Sequence, residues 1–262
     1  MHLAGLDCAT QPRKTGLALA SLAGERLTVY EARVAVSRED TARRLAAWLG
    51  GSPDAVLALD APLGWPAPMA DALSDHAAGR PLSPSPDAMF HRRTDRAVWA
   101  ATGKKPLEVG AGWLARTAHA ALASLGDVRQ RLAFEMGWTP GAVSGRQALE
   151  VYPAATLLSR GLSTAGYKRD DATDRRAEIV DALTAPDAVP RLVLDISVRE
   201  ACIETDHVLD AVLCCLAAAD YARGDVLTPE AAGVAPETVR REGWIWFRPP
   251  QGLATPGRPS PA

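Results

Sequence analysis

The sequence predicts an α/β fold, a mixed five-stranded sheet flanked by helices, and three observations carry that prediction. The apolar runs Leu3–Asp7 and Ala55–Asp60 read as buried strands, and each stops on an aspartate. Between them, Ser37 as N-cap and Ala42, Leu45, Ala46 and Leu49 on one face predict a helix reaching Gly50-Gly51. Late in the chain, Val208, Leu209, Val212, Leu213, Leu216 and Ala219 recur at helical spacing, so a long helix runs from Asp206 through Ala222 and ends at Gly224.

The remaining elements follow in order. After the first strand, the polar loop Cys8 to Thr15, punctuated by Pro12, leaves the strand end open to solvent. Gly16–Leu22 and Leu27–Val36 then form two further strands joined at Gly24-Glu25. The fourth strand, Ala55–Asp60, follows the first helix, and residues 61–146 read as an insertion after it. The insertion starts as a proline-rich loop and contains a helical stretch from Trp113 to Leu125, opened by Gly110-Ala111-Gly112. The core pattern resumes with the strand Gln147–Tyr152, stopped by Pro153, then a helix from Ala154 to Arg160 and a charged amphipathic helix from Asp171 to Leu183. Glu242–Phe247 reads as a closing strand. A single domain over 1–250 and a disordered Pro/Gly/Ser tail over 251–262 complete the organisation.

Composition narrows the function classes. With 262 residues and 47% hydrophobic content the chain buries a substantial core, and at a net charge of -2 it has no global positive field to hold nucleic acid, so such a partner must meet a local patch. The four cysteines form no CxxC pair and no metal-finger spacing, which argues for reduced, buried thiols. No apolar run approaches the length of a membrane span and no leader precedes the first strand, so a cytoplasmic location without membrane association is expected.

Acids dominate the candidate chemistry. Asp7 and Asp60 end strands at the edge where α/β sheets place their sites, Glu150 ends the next strand, and Asp206 and Asp210 lie one turn apart near the start of the last long helix. An isolated pair of that spacing reads equally as a cap plus a solvated acid. An almost wholly apolar helix, however, holds acids only where a site or partner receives them. Clustered carboxylates call for a cation, and oxygen ligands suit Mg²⁺ or Mn²⁺. Two such ions, roughly 4 Å apart, activate water and stabilise a leaving oxygen in phosphodiester cleavage.

The runs Gly5-Leu6-Asp7, Leu59-Asp60-Ala61-Pro62-Leu63-Gly64, Glu150-Val151-Tyr152-Pro153-Ala154-Ala155, Tyr167-Lys168, Asp206-His207-Val208-Leu209-Asp210-Ala211 and Glu242-Gly243-Trp244-Ile245 together resemble the prokaryotic family called domain of unknown function 429. That family is regarded as a predicted nuclease with an RNase H-like fold. The resemblance, from Leu3 to about Phe247, implies that the first three strands are antiparallel and that the later ones run parallel to the first. It maps the metal-binding acids to Asp7, Asp60, Asp206 and Asp210, with Glu150 on the same edge as a further catalytic acid, and it implies nucleic acid as substrate.

Other residues carry two readings each. Arg92, Arg93 and Arg96 clamp phosphates or form an exposed charged face with Asp95, ahead of Lys104-Lys105. Lys168 reaches a phosphate, orients Glu150 or is solvated. His207 shuttles a proton near the metals or serves as a structural hydrogen-bonder. Trp65, Trp99, Trp113, Trp138, Trp244 and Trp246 include a base-stacking platform or anchor core and loops. Two other functions share the fold: an ATP-binding phosphotransferase of the actin and sugar-kinase type, with Asp7, Thr10, Thr15 and Gly16 in place of its phosphate loop, and a non-catalytic binding module.

Overall fold

A computed structural model of the chain describes residues 1–110 and 112–250. Ala111 and the tail expected to be disordered lie outside the described residues. Alternating apolar runs form β1 (His2–Asp7), β2 (Gly16–Ala23), β3 (Arg26–Val34) and β4 (Ala55–Asp60), with β5 (Glu135–Met136), β6 (Arg146–Glu150) and β7 (Arg191–Leu194) later in the chain. The helices are α1 (Arg38–Gly50), α2 (Ala67–Ser74), α3 (Pro86–Phe90), α4 (Arg93–Thr102), α5 (Gly112–Arg129), α6 (Pro153–Leu158), α7 (Thr173–Leu183), α8 (Ile196–Glu204), α9 (Asp206–Arg223) and α10 (Pro236–Glu242).

The sheet has seven strands, not five, in the order β5-β6-β4-β1-β2-β3-β7. β1, β2 and β3 are antiparallel neighbours, while β4 runs parallel to β1, β6 to β4, β5 to β6 and β7 to β3. The two additional strands are two and four residues long, at the sheet edges. Segments this short carry no readable alternation and owe their conformation to the strand beside them. The closing strand is also corrected. Glu242 ends α10, and of this segment only Ile245 forms a bridge, parallel to Glu150.

The strands sort their side chains by alternation. Leu6, Leu57 and Leu59 face α1 and α5, where they pack with Leu45, Leu49 and Leu125, while Leu3, Val56 and Ala58 face the opposite layer, built around α9. From Val208 to Tyr221 every residue of α9 is buried.

Two glycines set how closely α9 lies on the sheet. A Cβ on Gly5 would meet the carbonyl oxygen of Ala211 at 2.0 Å, and one on Gly16 the carbonyl oxygen of His207 at 1.8 Å. Neither obstacle is the end of a flexible side chain, so the helix itself must move. Gly5→Ala is therefore expected to cost about 3 kcal/mol, at the upper end of overpacking effects, measured by urea unfolding; a loss below about 1 kcal/mol would show that α9 is free to shift.

Candidate active site

Strand register assembles the acids. Asp7 pairs with Asp60 across the parallel β1–β4 ladder, so both carboxylates leave the sheet at the same edge. Both follow residues that face α1 and α5, so alternation turns them toward α9. There Thr205 caps the helix by accepting a hydrogen bond from the His207 backbone N–H, and Asp210 lies one turn inside it. Ligand atoms of Asp7, Asp60 and Asp210 all lie within 4.8 Å of one another, an oxygen-rich set that can hold a metal ion.

Each acid is positioned by a neighbour. His207 Nδ1 lies 2.8 Å from Asp7 Oδ2. Asp210 is fully buried; it accepts a hydrogen bond of 2.8 Å from the Tyr167 hydroxyl and pairs with Lys168 Nζ at 2.6 Å. The loop bearing Tyr167 and Lys168 is itself held by Arg176, a buried guanidinium that donates to the carbonyl oxygens of Tyr167, Arg169, Ile203 and Glu204. Arg176 thereby ties that loop to the end of α8, immediately before α9.

Burial raises all three carboxyls. Asp7 is pushed up to about 6 by loss of solvent and by the charge of Asp210, against the hydrogen bond from His207. Asp60 stands well above the usual carboxylate range, because burial outweighs the charge of Lys168 and because Asp7 and Asp210 add repulsion. Burial also raises Asp210, although Lys168 and Tyr167 work against it. His207 is raised by its hydrogen bond with Asp7.

These shifts have one sign. A group held more protonated in the folded state contributes stability at low pH and loses it as pH rises through its folded pKa. The Asp7 contribution thus fades as pH rises from about 4 to about 6, and that of His207 fades as pH rises above its ordinary value. The metal-free protein is expected to lose on the order of 5 °C in melting temperature from pH 5 to pH 8, and millimolar Mn²⁺ to flatten the profile. A metal-free melting temperature that rises over this range would contradict the arrangement.

The other predicted residues are distributed differently. Asp206 lines the same cleft, one turn from Asp210, but is not part of the three-carboxylate cluster. Glu150 pairs in register with Leu59, not with Asp60, so it stands outside the three-carboxylate cluster although it lines the same cleft. There it meets Arg92, which donates to Glu150 at 2.7 and 2.9 Å and to Asp95 at 2.9 and 3.2 Å. All three side chains are at most 2% exposed. The backbone N–H of Leu63 donates to Glu150 as well, and the Glu242 carboxylate accepts from the backbone N–H groups of Ala67 and Arg93.

Arg92 is thus a buried counterion that joins β6, α4 and α10, with no free guanidinium to offer a phosphate. Arg93 is exposed but does not line the cleft, and Arg96 lies outside it, paired with Asp87. Lys168 does line the cleft, although its partner is Asp210 and not Glu150. Cys8 is buried and its thiol is pushed well up by burial and by the charges of Asp7 and Asp60, which disfavours the thiolate. Two contributors, Lys14 and Arg116, carried no signal of their own in the sequence and acquire a role only through the elements that surround the cleft, while Tyr167, quoted only within the resemblance, gains its role from its hydroxyl on Asp210.

The cleft itself encloses about 1040 Å³. The acids Asp7, Asp60, Asp95, Glu150 and Asp206 lie along it, and Lys14, Arg92, Lys104, Lys105, Arg116, Lys168 and Arg169 line it as well. Among the described residues no helix is long and apolar enough to cross a membrane.

No curated protein and no solved structure matches the chain. The family model described as "Protein of unknown function (DUF429)" matches residues 5–233, which include Asp7, Asp60, Lys168 and Asp210. With that match over most of its length, the chain belongs to the DUF429 family.

Proposed function

We propose that the protein is a metal-dependent nuclease that hydrolyses phosphodiester bonds of nucleic acid on an RNase H-like core. The observation that carries this reading is the convergence of Asp7, Asp60 and Asp210 within 4.8 Å, with Asp7 and Asp60 lining a cleft that lysine and arginine also line. The antiparallel β1-β2-β3 unit with β4 and β6 added in parallel beside β1 agrees with that core, as does the supply of acids from the ends of β1 and β4 and from a late helix.

The donor set fits a hard cation. All three ligands are oxygens, and their raised pKa values mark carboxylates that lack enough positive charge to stay ionised comfortably. Mg²⁺ or Mn²⁺ bound there supplies Lewis acidity toward the phosphoryl oxygens and toward an attacking water. His207 holds the orientation of Asp7, while Tyr167 and Lys168 hold Asp210. Lys168, whose side chain is half exposed and lines the cleft, meets a substrate phosphate beside the acids in this reading.

The test pairs calorimetric titration of Mg²⁺ and Mn²⁺ with cleavage of single-stranded and duplex DNA and RNA. Saturable metal binding and metal-dependent cleavage are expected, with chelator abolishing both. Cation binding without cleavage of any substrate would overturn the nuclease reading. Stabilisation by ATP without phosphodiester cleavage would favour a phosphotransferase, and silence in every assay a binding module.

A further inference from the structure

We infer that the cleft wall contributed by residues 104–107 and 113–117 binds single-stranded nucleic acid, with Trp113 stacking on an unpaired base while Lys104, Lys105 and Arg116 meet the phosphates. The inference deepens the nuclease reading and rests on it.

Trp113 sits in the first turn of α5, 66% exposed, yet within the lining of the cleft that holds the acids. Other tryptophans have visible structural work. Trp244 and Trp246 are buried, and the Trp48 indole N–H donates to the carbonyl oxygens of Leu3 and Ala20. Trp99, half exposed, lies outside the cleft and carries Lys105 Nζ 5.2 Å above its ring. A single exposed indole is ordinary on a protein surface. Trp113 differs because Leu107, 59% exposed, and the cations Lys104, Lys105 and Arg116 line the same cleft.

Those cations lack acidic partners. Among the described residues no carboxylate pairs with Lys14, Lys104, Lys105 or Arg116, whereas Arg38, Arg44, Arg160 and Arg199 elsewhere are each matched to an aspartate or glutamate. The wall is therefore complementary to a polyanion. It also extends past the acids: Arg116 lines both the cleft and an adjoining hollow of about 580 Å³ that includes His119. A single phosphate group does not need a surface of that extent, but several linked nucleotides do. An exposed aromatic ring in a cleft that also carries cations favours a strand whose bases are free to stack. A duplex keeps its base faces inside and offers only its backbone.

The test measures anisotropy of short fluorescein-labelled oligothymidine, oligouridine and a duplex of equal length, with EDTA present so that nothing is cut. Single strands are expected to bind more tightly than the duplex. Trp113→Ala is expected to weaken single-strand binding roughly tenfold without changing duplex binding, and Trp113→Phe to retain most of the affinity. Replacing Lys104, Lys105 and Arg116 with glutamine is expected to lower the slope of log affinity against log salt by about 2. Equal binding of duplex and single strands, or no effect of Trp113→Ala, overturns the inference even if the protein cleaves nucleic acid. Trp113-dependent single-strand binding in a protein that cleaves nothing removes the nuclease reading and leaves the binding wall. The oligothymidine and oligouridine arms separate DNA from RNA. Repeating the measurement with Asp60→Asn in Mg²⁺ guards against an effect of metal removal on the fold.

Discussion

Asp60→Asn is expected to lower metal-dependent cleavage at least about 10³-fold, which corresponds to roughly 4 kcal/mol of lost transition-state stabilisation, while raising the thermal stability of the metal-free protein at pH 8. Both effects come from one charge. Asparagine keeps the shape of the side chain but removes an anionic ligand from a set of three. The same carboxylate is held well above its usual pKa by burial, with repulsion from Asp7 and Asp210 added, so ionising it costs the folded state free energy. Removing the charge relieves that cost, as expected where a site is built at the expense of stability. Cleavage rates and melting temperatures in chelator, measured on the same preparation, decide the matter. A variant that is destabilised and cleaves normally would place the chemistry elsewhere.

Arg92→Met is expected to reduce stability by about 3–5 kcal/mol, the range for removal of one partner from a buried ion pair. Its guanidinium is the shared counterion of Glu150 and Asp95, all of them buried. Without it, two carboxylates stay behind in a region where burial already raises Glu150. Arg92→Lys restores a charge but not the planar fork that spans both acids, so it should recover only part of the loss. The double variant Arg92→Met/Glu150→Gln should be more stable than Arg92→Met alone, because fewer buried charges stay uncompensated. Urea unfolding with unchanged m-values measures the series. A loss below about 1 kcal/mol for Arg92→Met would mean that the network is open to solvent and that Arg92 is free to serve a ligand.

How much was legible differs between strand, helix and site. Apolar runs ending on aspartate predict β4 to the residue and β1 to within one residue at its start, since an apolar run and its termination are local properties. The cap at Ser37 holds as read, with its side chain accepting from the Asp40 backbone N–H. α9 likewise follows from an apolar pattern too long to be exposed. By contrast, β5, β7 and α8 went unread. The strands are short, and α8, capped by Asp195, has little separation of polar and apolar faces.

The sequence by itself determined which acids were worth considering, the strands that end in Asp7 and Asp60, and the helix that carries Asp210. Tertiary structure alone decided which of them meet. Glu150 also ends a strand and lines the same cleft, yet a register that pairs it with Leu59 leaves it outside the cluster and in the hands of Arg92. Asp206 and Asp210 share a helix, yet only Asp210 joins the cluster, in a helix that Gly5 and Gly16 allow onto the sheet. The physical reason is that a side chain's chemistry is local, whereas the face it points to and the charge it meets depend on pairing partners distant in sequence.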